Sequence, residues 1–227
     1  MCPLIRKNMP SAEPQSTIEE TVSTQHCAIV QHMRTEFDLA HREGLFVALA
    51  KTFAVPSISE VLVRTGGFEQ PDHRLFSTHF GISTLYACGY ASSAGQAAIT
   101  RIKKAHAAPG ITNDKLLYVL SLFVNEPLDA LARVGPRTAT RVEELSMHTF
   151  WNHIGQELSI TDIPDYDPLR AYRENYEIRN TAYHPNNAFL AERLLSVINP
   201  QDPFGARARI STLPKHIRHA LGYDLPQ

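Results

Sequence analysis

The sequence predicts an all-α fold, a single-domain helical bundle of about eight helices in a globin-like arrangement around a buried pocket. Apolar residues recur at spacings of three and four, the period of an amphipathic helix. Clean period-two alternation bounded by turn residues, the mark of a strand, is missing. The 227 residues, 43% of them hydrophobic, suit one sizeable core.

The first 24 residues, rich in Pro, Ser and Glu and lacking an apolar run, predict a disordered arm, and 25–227 the helical domain. From Cys27 to Phe53 the stripe Ile29, Met33, Phe37, Ala40, Leu45, Leu49 predicts one long helix, ended before Pro56. Ser57 and Glu60 have the spacing of a capping box, opening a short helix to Arg64 that Gly66-Gly67 closes. Pro71-Asp72 starts a helix with an irregularity near Gly81 and a break at Gly89; the next runs to Ala108, before Pro109-Gly110. Thr112 or Asn113 caps another, which Pro127 kinks or divides before Gly135. Thr140 to Glu143 is a second capping box, opening a helix with Val142, Leu145, Trp151, Ile154 and Leu158 inward. Further helices follow from Asp167-Pro168 to Tyr176, from Phe189 to Ile198, and from Pro214 to Leu221.

Composition excludes some functions. With 22 basic and 23 acidic side chains scattered along the chain, no charged stripe suggests nucleic acid. Cys2, Cys27 and Cys88 fit neither a disulfide framework nor a structural zinc site, which points to a reducing, cytoplasmic setting. Phe80 to Thr100 carries no charge, but Gly, Ser, Thr and Gln96 interrupt it, so it reads as a helix packed inside protein and no transmembrane anchor is expected.

No Walker loop, GxGxxG, GxSxG or HExxH is present. Ala91, Ala94, Gly95, Ala98, Ile102 and Ala105 fall near one helix face, where a flat body could approach the backbone, and His106 ends that stripe. An imidazole there could ligate an iron macrocycle; equally, small residues mark close helix contacts, and a last-turn His interacts with the helix dipole. Arg74 and Thr78 share a face, with His79 a step round; Arg74 could equally pair with Glu69 or Asp72 at the surface. Glu60 reads first as a capping residue, with a catalytic base as the alternative. His148 and His153 point apart, His216 and His219 lie on an exposed face, and Cys88 reads as a small core residue.

In order, RLFSTHFG, RIKKAHAAPGITNDKLLYVLSLFV, GPRTATRVEE and FWNHIGQELSITDIPDYDPLRAYRENYE resemble the haem-binding region of MpaB-type oxygenases and latex-clearing rubber oxygenases, over about residues 27–222. The stretch Phe150 to Tyr176 is most similar to the fungal MpaB branch. The resemblance implies haem b with His106 as axial iron ligand, and Arg74, Thr78 and Thr138 as cofactor-binding residues. It implies Arg74, Thr78 and, more loosely, Glu60 as catalytic residues. The activity it implies is oxidation or cleavage of a C=C bond by dioxygen in an apolar prenylated or polyketide-derived substrate, within fungal secondary metabolism. Ser77 replaces a Lys of the rubber enzymes, and Gly110 stands where they carry a basic residue. Two other readings use the same pocket: a cofactor-free cyclase or isomerase, and a helical small-molecule binding protein.

Overall fold

Helix-terminating residues set the element order in the computed structural model, which describes residues 14–66, 71–198 and 203–224. The helices are α1 (Gln15–Glu36), α2 (Asp38–Phe53), α3 (Pro56–Arg64), α4 (Pro71–Cys88), α5 (Ser93–Ala105) and α6 (Asn113–Val134). Then come α7 (Arg141–Glu157), α8 (Tyr166–Asn180), α9 (Pro185–Ile198), α10 (Pro203–Ser211) and α11 (Lys215–Ala220). The all-α expectation holds, with eleven helices among the described residues instead of about eight.

Several boundaries differ from the sequence reading, each for a local reason. Of the arm expected over residues 1–24, Gln15 to Thr24 are helical, with Ile18 and Val22, four apart, buried, and residues 1–13 lie outside the described residues. The long helix expected from Cys27 to Phe53 breaks at Phe37 (φ −116°, ψ 42°). Just before the break, the Thr35 hydroxyl donates back to the Gln31 and His32 carbonyls, a contact that bends helices. Phe37 itself packs under the Arg137 guanidinium, 4.9 Å from its ring centre.

Pro56 takes the first position of α3 with Val55 before it, so the Ser57–Glu60 box does not form. Helix α4 passes Gly81 without interruption and ends at Gly89, whose φ of +74° favours glycine. Helix α6 continues through Pro127 undivided. Gly44 of α2 sits directly on that turn: a Cβ there would lie 2.5 Å from the Pro127 Cα and 2.7 Å from the Glu126 carbonyl oxygen. The Thr140–Glu143 capping box forms as expected. Helix α8 outruns Tyr176 to Asn180, and α10 went unread.

Helix α2 packs along α6, α1 along α7, and α4 against α5. The largest apolar cluster draws on α1, α4, α5, α6 and α7; a second joins α2 to α9, α10 and α11. Between α2, α6 and α8 lies a buried ionic network. Lys51 Nζ reaches Glu126 at 2.7 Å and Glu177 at 3.0 Å, while Arg173 binds Glu126 at 3.0 Å and Asp129 at 2.8 Å. No single described helix is long and apolar enough to cross a membrane; α2 and α3, bent by 89°, pass that test as a pair by length and composition.

A candidate active-site cavity

Helices α4 and α5 form a hairpin, and its geometry places the candidate residues. The Ser92 hydroxyl caps α5 by accepting from the Gly95 amide at 3.0 Å. Gly95 is required here, since a Cβ would meet the Gly89 carbonyl oxygen at 2.1 Å. Helix α5 ends at Ala105, His106 serves as its C-cap, and Gly110 (φ +92°) turns the chain into α6.

His106 Nδ1 lies 2.8 Å from the Ile102 carbonyl oxygen. A carbonyl only accepts, so in the neutral ring Nδ1 carries the proton and Nε2 the lone pair. Metal-ligating imidazoles use this arrangement, in which a backbone carbonyl fixes tautomer and ring orientation.

The ring lies in the wall of a cavity of about 230 Å³. That exceeds the apolar void of about 150 Å³ that takes up benzene. Its floor is apolar: Phe53, Ile58 and Val61 from α2 and α3, Ile82 from α4, Leu120 and Phe123 from α6, and Trp151 and Ile154 from α7. Exposed Thr65, Ser77, Arg101 and Ala105 also line it, so it opens to the surface between α3, α4 and α5. Tyr86 holds one wall from behind: Trp151 Nε1–H donates to its phenol oxygen at 3.1 Å, and burial pushes the Tyr86 phenol well above its ordinary pKa.

The structure brings together His106, Thr78, Ser77, Ala98, Ile102 and Ala105 around this cavity. Gly81 faces it as well, and a Cβ there would meet only the Ile102 side chain, at 3.7 Å. Ala91 and Ala94 do not line it. The Arg74 side chain lies outside the described residues. Glu60 is exposed on α3 and Thr138 is exposed between α6 and α7, and neither lines the cavity. Thr138 offers its carbonyl to Arg137 Nη1 at 2.9 Å. Cys88 is exposed, at the last turn of α4, not a core residue.

Sequence reasoning missed three cations. Arg101 and Lys115 lie in the cavity wall. Arg64 donates to the Pro109 carbonyl and Lys115 Nζ to the Gly110 carbonyl at 2.7 Å, so both converge on the turn where the resemblance left a basic residue missing. Their signal was unreadable, because α3 and the α5–α6 turn meet only in three dimensions.

The other imidazoles that the sequence singled out have contacts of their own. His148 Nε2 meets the Pro164 carbonyl oxygen at 2.8 Å, and His153 stacks on His26 and Tyr90, where burial lowers its pKa. His79 contacts Ser83, His216 lies 3.7 Å from Glu177, and His219 Nδ1 lies 3.3 Å from the Asp224 carbonyl oxygen. Among the described residues no three His, Cys, Asp or Glu converge as a metal cage. The wall thus offers one imidazole among apolar and small residues, with Arg101 and Lys115 beside it: a single ligand, as an iron already held by a macrocycle needs, and too few for a protein-only zinc site.

These features define an all-α protein with an apolar, imidazole-walled cavity, and its relatives carry a consistent name. The chain is 24% identical over 204 residues to the ER-bound oxygenase MpaB′ of Penicillium brevicompactum, covering 79% of this chain and 48% of the relative. It is 29% identical over 121 residues to the ER-bound oxygenase MpaB of Penicillium roqueforti, covering 50% and 41%. Against MpaB of Penicillium brevicompactum it is 29% identical over 171 residues, covering 66% and 44%. The resemblance to the MpaB branch is thus borne out, and the chain spans less than half the length of each of these relatives. No known-family profile matches it.

Proposed function

We propose that this chain is the haem-binding region of an oxygenase that acts on an apolar prenylated or polyketide-derived molecule, with His106 as the residue that would hold the iron. One observation carries the proposal: the imidazole ending α5 stands in the wall of an apolar cavity with its Nδ1–H anchored on the Ile102 carbonyl. Names of the relatives supply the reaction class, oxygenation. Those relatives are named ER-bound, so the expected cytoplasmic location is not part of the proposal.

Each residue has a task in this reading. The Ile102 carbonyl holds the His106 ring in orientation and makes Nε2 the more basic nitrogen. Lys115, in the cavity wall, would pair with a carboxylate of the cofactor. Ile82, Leu120 and Phe123 exclude water and accept an apolar substrate. The Thr78 hydroxyl, in the same wall, is a hydrogen-bond donor for charge developing on oxygen, a role Arg74 shares through the resemblance. Bound haem would supply the activation of dioxygen, chemistry that no side chain offers. Glu60 and Thr138, outside the cavity, receive no role.

The test is an absorption spectrum of the purified protein beside that of His106→Ala. Wild type is expected to show a Soret band, and the variant to lose it or shift its maximum with reduced haem content. Wild-type protein with no Soret band, before and after haem addition, ends this proposal. The cyclase or isomerase would then be favoured by turnover of a polyene without oxygen, and a carrier by its absence.

A further inference from the structure

The cavity mouth carries an unusual surface. Phe76 and Phe80 of α4 are 68% and 50% exposed, and their rings stack with centroids 6.3 Å apart. Ser77 and Thr78, between them in the helix, line the cavity, so the aromatic pair flanks its opening. Arg101 of α5, exposed and also in the wall, sits 5.5 Å over the Phe80 ring. Among the described residues the cavity lining carries two cations, Arg101 and Lys115, and no carboxylate, and Arg64 of α3 donates to the Pro109 carbonyl at the adjoining turn, in a chain of net charge −1.

We propose that this mouth docks on an anionic lipid surface, with Phe76 and Phe80 entering the acyl boundary and Arg101 at headgroup level. The cavity then opens toward the bilayer and draws its apolar substrate from it. The inference rests on the proposed function only for the apolar substrate, not for haem. Exposed aromatic rings beside cations are the chemistry of interfacial binding, in which apolar burial and attraction to anionic headgroups add. Charge decides against a second copy of this chain at the same face, since pairing two such mouths would oppose like charge.

Vesicle co-sedimentation of the full chain tests this, with phosphatidylcholine alone and with added phosphatidylserine. Binding is expected on phosphatidylserine vesicles, weakened by salt, and much weaker on phosphatidylcholine. Phe76→Ser with Phe80→Ser should weaken it by about tenfold or more, and Arg101→Glu by about fivefold or more. Ile178→Ser, at a residue 80% exposed on α8, should bind as wild type does. Circular dichroism checks that each variant is folded. No binding to either vesicle, equal binding to both, or full binding by the folded double variant overturns the proposal. Concentration-dependent dimers that the double variant abolishes, without vesicle binding, overturn it in favour of self-association. Lost docking with an intact Soret band removes this inference alone; a missing Soret band with intact docking removes the haem reading alone.

Discussion

His41 is buried at 6% exposure, edge-on to Tyr86 with ring centres 4.6 Å apart, and its Nε2 has no hydrogen-bond partner. Burial lowers its pKa to about 4 from 6.5, with Arg34 adding to the effect. The unfolded chain therefore takes up a proton that the native state refuses between pH 6.5 and about 4, so stability is full above that window and falls as pH drops through it. The whole window is worth about 3 kcal/mol. Urea midpoints at pH 7 and pH 4.5 should fall less for His41→Phe than for wild type; equal falls would assign the acid sensitivity elsewhere. At Thr78, replacement by Val keeps the volume and removes the donor. On the proposed haem function the variant should keep the wild-type Soret band while kcat drops by about tenfold or more, and an unchanged kcat would leave Thr78 as mere lining. His106 was legible because its place is local: the end of an alanine-lined helix before Pro109-Gly110. Glu60 misled because Pro56 had already set the first turn. Thr138 came with GPRTATRVEE, whose order serves structure: Glu143 accepts from both Arg137 Nη atoms at 2.7 Å and from the Thr140 amide at 2.7 Å.

Two helical glycines give opposite expectations at the scale of elements. Gly44→Ala drives a Cβ into the α6 backbone at Pro127, where no rotamer change relieves it, and should cost about 2 kcal/mol or more. Gly81→Ala meets only the Ile102 side chain, at 3.7 Å, and should gain about 0.5–1 kcal/mol from helix propensity. Thermal midpoints measured side by side decide it: if both fall alike, the α2–α6 approach is looser than described. The sequence displayed most helices through caps and breakers, as at Thr140 and Gly89. It hid the continuity of α6, since a proline that should divide a helix is tolerated when the neighbouring helix offers a glycine 83 positions away to pack against.

For the molecule as a whole, the interior salt network is what binds distant parts of the chain. Lys51 meets acceptors 75 and 126 residues away, pairings that no local pattern announces. Lys51→Met would strip Glu177 of its buried cation and leave Glu126 with Arg173 alone, both carboxylates being nearly inaccessible, and should destabilise the fold by about 3–5 kcal/mol. Urea unfolding measures this, and a loss below about 1 kcal/mol would put the pair in the weak class of surface bridges. Packing across the centre makes one further property measurable. The chain has a single tryptophan, and Trp151 stacks on Phe123 at 4.9 Å where both face the cavity. Its fluorescence is therefore an internal gauge with no competing emitter of its kind. A porphyrin taken up beside it would quench that emission by energy transfer in step with occupancy, so a titration followed at this one residue counts the sites filled.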